Sequence, residues 1–191
     1  TMRDDFKPRD ARSWWLRCQA QTAGVTLTEQ QPMNNVVRVA YQALAAVLGG
    51  TQSLHTNSMD ETLALPTEEA VKVALRTQQI LAEETHVTQS VDPLGGSWFV
   101  EKLTDEVEQQ AEAIFQEIRD LGGVIAAIEH GYFRRRIAET AMKQSLAFDQ
   151  GEATVVGVNK YVDEDYQRVP ILKIDPAVET EQVARLKQLK K

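Results

Sequence analysis

The sequence predicts an α/β fold that is mostly helical and contains two short parallel strands. Two short runs, Trp14–Ala20 and the stretch around Leu54, end in polar side chains and are typical of buried strands. A strongly periodic helix over residues 28–48 separates them, and helical periodicity dominates beyond residue 67. A strand, a helix and a second strand in this order form a βα unit, so both strand ends should lie at the same edge of a sheet.

Composition excludes several classes of function. The chain has 191 residues, 42% of them hydrophobic and 26% charged, which fits one globular domain or one domain with an appendage. Its net charge of −7 gives no basic face for nucleic acid. No apolar run is long enough to span a bilayer, and no signal-peptide pattern opens the chain.

Cysteine and histidine usage argues for a reducing compartment and against a metal site. Cys18 is the one cysteine, so no internal disulfide is possible, and we expect a cytoplasmic protein. The histidines are too few and too far apart for metal-ligand spacing, and no Walker-type phosphate loop occurs. We therefore expect no metal ligand in this chain.

The first half of the chain gives the clearest element predictions. Residues 1–12 are interrupted by Pro8 and indicate an irregular segment. In the strand that follows, Trp14 and Trp15 are expected to lie in a core or an interface. Pro32 suits the first turn of the next helix, whose inner stripe is predicted as Val36, Val37, Ala40, Leu44 and Val47.

The second half is predicted to be largely helical. Thr67 should cap a helix, Trp98-Phe99-Val100 reads as a short extended piece, and Thr104 should cap a long helix that ends at Gly122-Gly123. Residues 154–158 and 169–174 are rich in β-forming residues, with Pro170 marking the latter as an edge or extended piece. The remaining predicted helices are Val124 to Glu129, Arg135 to Gln150, and Glu179 to Lys191.

The stretch from Gly49 to Glu61 concentrates the polar chemistry of the chain. The glycine pair Gly49-Gly50 should end the preceding helix, and the strand after it ends in polar side chains: Ser53, His55, Asn57, Ser58 and Glu61. Polar groups at the carboxyl ends of parallel strands are where α/β proteins bind ligands. An ordinary strand–loop junction with local caps is the alternative interpretation.

The same stretch, continued to Thr67, resembles the large, catalytic subunit of the adenosylcobalamin-dependent acyl-CoA mutases, the methylmalonyl-CoA mutase family. Four further runs resemble this family, in order along the chain: Gln21-Thr22-Ala23-Gly24, Gln31-Pro32-Met33-Asn34-Asn35-Val36-Val37-Arg38-Val39, Asp92-Pro93-Leu94-Gly95-Gly96-Ser97, and Gly157-Val158-Asn159-Lys160-Tyr161. These strings are long and literal, so the resemblance is specific. It covers only part of the family's subunit.

The resemblance implies a particular architecture. Residues 1–66 would form the last two βα units of the family's (β/α)8 TIM barrel, and residues 67–191 a mainly helical belt leading toward a cobalamin-binding domain that this chain lacks. Because a complete barrel needs about 250 residues, the chain alone cannot close one. We expect a fragment, a truncated paralogue or one piece of a split enzyme, associated with the rest of the catalytic subunit as a homo- or hetero-oligomer.

The resemblance also implies an activity and a cofactor. The family isomerises the carbon skeleton of an acyl-CoA through an adenosyl radical supplied by adenosylcobalamin. For this chain, the resemblance implies the isomerisation of methylmalonyl-CoA to succinyl-CoA. An isobutyryl-CoA mutase or a 2-hydroxyisobutyryl-CoA mutase is the alternative. The histidine that binds cobalt from below belongs to an Asp-x-His-x-x-Gly motif that this chain lacks. A non-catalytic interaction protein is the alternative from another class.

Site residues are carried over by position. Four are implied cofactor contacts: Gln21, Gly24, Glu61 and Ala64. Four others are implied to line or brace the barrel mouth near the acyl-CoA substrate: Gln19, Gln52, Ser53 and Asn57. His55 is expected to support its neighbours rather than act in catalysis, and no residue is assigned as catalytic. Glu61 would hold the ribose hydroxyls of the adenosyl group through charge-assisted hydrogen bonds.

One position departs from the family pattern. The family usually has Arg-x-His-x-Gln-Thr, whereas this chain has Arg17-Cys18-Gln19-Ala20-Gln21-Thr22. A glutamine donates and accepts hydrogen bonds but carries no proton near neutral pH. Either the substrate differs or this copy is catalytically altered.

Overall fold

A computed structural model of the chain describes residues 3–4, 6–164 and 168–190. The chain divides into two compact units. Unit 1 comprises Thr1–Thr88 with Tyr166–Lys191, and unit 2 comprises Gln89–Asp165. The described part of the chain is α/β and mostly helical, with a small parallel sheet, as the sequence predicts.

The described residues of unit 1 contain the sheet and three α-helices. Its strands β1 (Gln19–Gln21) and β2 (Ser53–His55) are parallel, with Gln19 opposite Ser53 and Gln21 opposite His55. The helices are α1 (Asn34–Leu48), α2 (Glu68–Glu83) and α6 (Pro176–Leu189). Short 3-10 turns occur at Ala11–Trp14, Gly24–Thr26 and Val87–Gln89.

The core of unit 1 lies where α1 and α2 pack together. Its buried apolar side chains are small or medium-sized: Leu27, Val39, Ala43, Ala70, Ala74 and Leu81. Small residues let two helices approach closely. The centre of the α1 inner face is Asn35, Val39 and Ala43, whereas Val37 of the predicted stripe is exposed.

A Schellman motif ends α1 at the glycine pair. The amide of Gly50 donates to the Val47 carbonyl at 3.1 Å, and the amide of Thr51 donates to the Ala46 carbonyl at 3.1 Å. Gly50 has φ +81, a left-handed conformation that favours glycine. The helix therefore ends at the glycine pair that precedes β2, as predicted.

Thr67 caps α2, also as predicted. Its Oγ1 accepts a hydrogen bond from the Ala70 amide at 3.3 Å, and Glu68 and Glu69 occupy the first turn. Acidic residues there are favoured by the helix dipole. The Thr67 backbone in turn donates to Asp60, which ties the start of α2 to the loop after β2.

The predicted strand Trp14–Ala20 is wrong over most of its length. Asp10 caps a 3-10 turn at Ala11–Trp14, and the strand occupies only Gln19–Gln21. Strand length depends on a pairing partner, and β2 offers only three residues. Trp14 and Trp15 are 46% and 66% exposed, so they do not lie in the core of this chain.

Among its described residues, unit 2 contains three helices: α3 (Trp98–Asp120), α4 (Val124–Glu129) and α5 (Tyr132–Asp149). The glycine pair after α3 and the bounds of α4 agree with the prediction. The prediction of an extended piece at Trp98-Phe99-Val100 is wrong, because these residues form the first turn of α3. Thr104 lies inside the helix, where its Oγ1 donates to the Val100 carbonyl at 2.8 Å rather than capping an end.

The two predicted β-rich runs form no strand in the part of the chain that the structure describes. Residues 154–158 contribute one isolated bridge, between Val156 and Lys160, and residues 169–174 are irregular. The last helix begins at Pro176, capped by Asp175, three residues before the predicted start. Among the described residues, no helix is long and apolar enough to cross a membrane.

Candidate functional site

The polar ends of β1 and β2 lie side by side. The parallel ladder is extended by the Thr22 amide, which donates to the His55 carbonyl at 3.1 Å. Because successive side chains alternate between faces, Gln19, Gln21, Ser53 and His55 share one exposed face of the sheet, and Ala20 and Leu54 share the other. The sheet therefore presents one polar face whose carboxyl end continues into two polar loops.

Asn57 is at the centre of the cluster at this end. Its side chain is only 4% exposed, and its Oδ1 accepts from Thr22 Oγ1 at 2.7 Å and from Gln21 Nε2 at 3.4 Å. Its Nδ2 donates to Glu61 Oε2 at 2.6 Å. Buried amides need partners on both atoms, and here both atoms have them. Asn57 thus braces Gln21 and Glu61.

Glu61 is held in a fixed position by its own loop. Its Oε1 accepts from the Ser58 amide at 2.8 Å, and Nε2 of His55 lies 3.9 Å from the same oxygen. Glu61 is partly exposed, so it faces solvent on one side. A carboxylate oxygen can accept more than one hydrogen bond. The arrangement therefore presents an oriented anionic acceptor beside an exposed histidine.

Gly24 lies in the exposed turn after β1, against the same cluster. A Cβ at this position would lie 3.2 Å from Nδ2 of Asn57. Gln42 of α1 holds the turn, because its Oε1 accepts from the Ala23 amide at 2.6 Å and its Nε2 donates to Thr26 Oγ1 at 2.8 Å. At Gly24 itself the backbone carries no side chain and lies close to Asn57.

The structure brings six of the predicted site residues to the carboxyl end of the sheet. These are Gln21, Gly24, His55, Asn57, Glu61 and Ala64, the last with its amide bonded to the Asp60 carbonyl at 3.1 Å. The other three, Gln19, Gln52 and Ser53, lie at the amino end of the two strands. There, Gln52 Oε1 accepts from the Cys18 amide at 3.1 Å.

Three buried residues that hold this loop were not predicted as part of the site. Asn35 is fully buried, and its Nδ2 donates to the carbonyls of Thr28 and Met59 at 2.9 Å each. Its periodic position, four residues before Val39, was the available signal, since it places a polar residue on a buried helix face. The other two are Thr22 and Asp60, whose partners depend on the fold.

Asp60 carries a buried oxygen without a hydrogen-bond partner in the described structure. Its Oδ2 accepts from the amide and the hydroxyl of Thr67, both at 2.9 Å. Its Oδ1 has no such partner, although the residue is 1% exposed. Buried carboxylate oxygens are costly without a donor. Through its bonds to Thr67, the buried Asp60 side chain ties the loop after β2 to the start of α2.

No enclosed ligand or metal site is formed by the predicted residues in the described parts of the chain. An open cavity of about 650 Å³ lies nearby, and the predicted site residues are absent from its described lining: Glu29, Leu63, Arg168, Val169, Pro170, Ile171 and Lys173. Within residues 3–4, 6–164 and 168–190, no group of three or more histidine, cysteine, aspartate or glutamate residues could hold a metal ion. The polar face is an open surface that needs further protein to enclose a ligand.

Comparison with known proteins identifies the family. The family model described as methylmalonyl-CoA mutase matches residues 1–191, the whole chain. The chain belongs to the methylmalonyl-CoA mutase family. It is 49% identical over 188 residues to methylmalonyl-CoA mutase from Rhizobium meliloti (strain 1021), covering 98% of this chain and 26% of that protein.

Two further relatives show the same coverage pattern. The methylmalonyl-CoA mutase of Escherichia coli (strain K12) is 46% identical over 97% of this chain and 26% of its own length. The 2-hydroxyisobutanoyl-CoA mutase large subunit of Aquincola tertiaricarbonis is 46% identical over 99% of this chain and 34% of its own length. The chain thus spans about a quarter to a third of the length of these curated relatives.

Proposed function

We propose that the chain is a section of the catalytic subunit of an adenosylcobalamin-dependent acyl-CoA mutase that isomerises methylmalonyl-CoA to succinyl-CoA. One observation carries the proposal. A whole-chain match to the family coincides with an oriented polar cluster of Gln21, Asn57 and Glu61 at the carboxyl end of two parallel strands. Carboxyl ends of parallel strands are where barrel enzymes bind their ligands.

The proposed architecture follows the family. Residues 1–66 are the last two βα units of a TIM barrel, and residues 67–191 are a helical belt leading to a cobalamin-binding domain. The remaining barrel strands and that domain are the proposed partners, in a homo- or hetero-oligomer in the cytoplasm. The open polar face supports this proposal, because closing it requires additional strands.

The residues at the carboxyl end fit the proposed cofactor. Gly24 has no side chain that would keep a ligand from its backbone, and a Cβ there would crowd Asn57. The Glu61 carboxylate is already oriented by Asn57 and the Ser58 amide, so it can accept from a ribose diol with little reorganisation. We propose that Gln21, Gly24, Glu61 and Ala64 contact adenosylcobalamin. When bound, this group supplies the radical that takes hydrogen from the acyl-CoA.

The amino-end residues are proposed to face the acyl-CoA. Gln19, Gln52 and Ser53 are exposed, neutral and able to both donate and accept hydrogen bonds. Neutral amides and hydroxyls can orient a thioester carbonyl without taking or giving a proton. With Gln19 where the family usually has histidine, these residues bind and orient but do not move a proton.

A related substrate is the second candidate. The 2-hydroxyisobutanoyl-CoA mutase large subunit is 46% identical to this chain, close to the values for the methylmalonyl-CoA mutases. Gln19 does not exclude these other acyl groups. Isobutyryl-CoA and 2-hydroxyisobutyryl-CoA are therefore the alternative substrates.

A non-catalytic interaction protein is the candidate from another class, and exposed apolar surface favours it. In unit 2, no residue of α3 or α5 is buried, and Phe99 and Ile137 are 76% and 70% exposed. Large exposed apolar side chains mark surfaces that other protein covers. We predict self-association of the isolated chain in sedimentation velocity, with binding of an apolar dye. A monodisperse monomer without dye binding would contradict this prediction.

A chimera tests the proposed function directly. The chain replaces the matching quarter of the Rhizobium meliloti methylmalonyl-CoA mutase, to which it is 49% identical. The chimera should bind adenosylcobalamin and isomerise one of the three acyl-CoA substrates. Glu61→Ala should weaken cofactor binding by about 10- to 100-fold, as expected for loss of charge-assisted hydrogen bonds. The control Glu68→Ala, at an exposed position of α2, should leave binding unchanged.

The outcomes separate the candidates. A folded chimera that binds the cofactor but turns over only 2-hydroxyisobutyryl-CoA supports the second substrate. A folded chimera with no cofactor binding overturns the enzyme proposal and favours the interaction protein. Equal binding by the Glu61→Ala and Glu68→Ala variants would remove Glu61 from the cofactor site.

A further inference from the structure

Thr22 and Asn57 form a reciprocal pair of buried hydrogen bonds. The Asn57 amide donates to Thr22 Oγ1 at 2.9 Å, and Thr22 Oγ1 donates to Asn57 Oδ1 at 2.7 Å. The two residues are 5% and 4% exposed. They join the loop after β1 to the loop after β2 across a sequence separation of 35 residues.

Thr22 has a single hydroxyl proton, and this fixes which group donates and which accepts in each of the two bonds. Because Thr22 Oγ1 already accepts from the Asn57 backbone, its own proton is free to donate, and Asn57 Oδ1 is the acceptor within reach. The amide oxygen of Asn57 is therefore held toward Thr22. The amide nitrogen must then point the other way, where it donates to Glu61 Oε2 at 2.6 Å.

We propose that Thr22 is a positioning residue that sets the orientation of the Asn57 amide and, through it, of the Glu61 carboxylate. Without the Thr22 hydroxyl, a flipped amide would place Oδ1 against the carboxylate, and two acceptors repel each other. The inference about Asn57 and Glu61 orientation stands on the geometry alone. Its consequence for cofactor binding rests on the proposed function.

Thr56 provides a matched control for a purely structural role. It is also 4% exposed and precedes Asn57 directly. Its Oγ1 donates to the Ala74 carbonyl at 2.8 Å and accepts from Gln78 Nε2 at 2.9 Å, so it ties the start of the loop after β2 to α2. Removing either hydroxyl breaks two hydrogen bonds, but of the two hydroxyls only that of Thr22 bonds to Asn57.

The first experiment is nuclear magnetic resonance of the 191-residue chain. In the wild type, the Asn57 side-chain NH2 should show Overhauser contacts to the Glu61 side chain. Thr22→Val should shift these amide resonances and weaken those contacts, while Thr22→Ser should restore them and Thr56→Val should leave them in place. If valine prevents folding, Thr22→Ala is used instead, because it removes the hydroxyl without putting a methyl group in its place. A wild-type NH2 group that contacts Thr22 instead overturns the proposal.

The second experiment measures adenosylcobalamin affinity in the chimera. Thr22→Val should raise the Kd by about tenfold, the effect of one misdirected charge-assisted hydrogen bond. Thr22→Ser and Thr56→Val should stay within about twofold of wild type, although Thr56→Val lowers stability. Equal loss of affinity in Thr22→Val and Thr56→Val, or no rescue by serine, overturns the positioning role. Absence of cofactor binding in the wild-type chimera contradicts the proposed function instead, and the resonance experiment still decides the role of Thr22.

Discussion

Buried polar side chains, rather than a large apolar core, fix the loop that carries Asn57 and Glu61. Asn35 reaches that loop from α1 through the Met59 carbonyl, and Asp60 fixes it to the start of α2 through Thr67. Both bonds are partly buried, and each has one buried side chain as a partner, so loss of either bond leaves a buried polar group unpaired. The geometry of the candidate site therefore depends on residues that do not face a ligand.

The Asn35 network predicts a large effect of one substitution. Asn35→Ala leaves the carbonyls of Thr28 and Met59 and the Thr28 amide without their side-chain partner, and should destabilise the chain by about 1–3 kcal/mol. The adjacent Asn34 donates its side-chain amide to Gln31, three residues away, so Asn34→Ala should cost less than about 0.5 kcal/mol. Urea unfolding of both variants measures the difference. Equal costs would show that the buried network contributes little.

Tyr132 in unit 2 provides a pH-dependent test. Its hydrogen bond to the Glu117 carboxylate, followed by partial desolvation and the charge of Glu117, raises the pKa of Tyr132 above 10.0, while Arg136 acts in the opposite direction. The fold therefore favours the neutral phenol. The resulting stabilisation is present below the ordinary tyrosine pKa and is lost as pH rises through the raised value.

Substitution of Glu117 should reverse that shift. Glu117→Gln removes the charged acceptor, so the pKa of Tyr132 should fall, whereas Glu108→Gln on the same helix should have no effect. Resonance titration of the labelled tyrosine ring carbon follows the ionisation of Tyr132 specifically. A Tyr132 pKa that is the same with glutamate and with glutamine at position 117 would contradict the contact.

At the scale of elements, glycine pairs divide the helices. The same two Schellman bonds that end α1 also end α3, where Gly122 donates to the Arg119 carbonyl at 3.0 Å and Gly123 to the Ile118 carbonyl at 2.9 Å. Both glycines have positive φ. Local backbone chemistry of this kind can be identified in a sequence without knowledge of the fold.

The glycine pair after α1 predicts unequal effects at neighbouring positions. Gly50 has φ +81, so Gly50→Ala should destabilise the chain by about 1–2 kcal/mol. Gly49 has φ −81, which other residues adopt without strain, so Gly49→Ala should destabilise the chain less than Gly50→Ala does. Its cost comes from the close approach of the new Cβ to the Ala45 carbonyl oxygen, at 3.3 Å. Thermal unfolding of the two variants measures the contrast. A larger loss at Gly49 would contradict the motif.

The same distinction explains which elements the sequence could predict. The α2 cap at Thr67 and the bounds of α4 follow from adjacent residues, and both predictions are confirmed. The strand predicted at Trp14–Ala20 is longer than the strand in the structure, because the length of β1 depends on its pairing with β2, more than 30 residues away. The aromatic and β-branched run at Trp98 favours a strand by propensity, but these residues are the first turn of the 23-residue helix α3, whose helical pattern prevails.

The site divides in the same way. Asn57 and Glu61 could be selected from the sequence because polar residues cluster after a predicted strand. The roles of Thr22 and Asp60 could not, because each is defined by a partner that the fold supplies: Asn57 across the sheet, and Thr67 at the next helix. Parallel pairing of β1 and β2 brings these residues together, and no local pattern encodes that register.

At the scale of the whole molecule, the candidate site lies on an open surface of the part of the chain that the structure describes. The polar face of the β1–β2 sheet is open, and the chain spans only 26% of the Rhizobium meliloti and Escherichia coli mutases. Binding must offset several kcal/mol of lost ligand freedom, and a few contacts on one open face supply little more than that. We therefore propose that cofactor binding and turnover require the protein that corresponds to the rest of those relatives.

Isothermal titration of adenosylcobalamin into the purified 191-residue chain tests this central claim most directly, together with an acyl-CoA mutase assay of the same sample. We predict weak or no binding and no turnover for the chain alone. Binding should appear when the remaining barrel strands and a cobalamin-binding domain are supplied in trans, and Glu61→Ala should then weaken it. Micromolar binding with measurable mutase activity by the 191 residues alone would contradict the account.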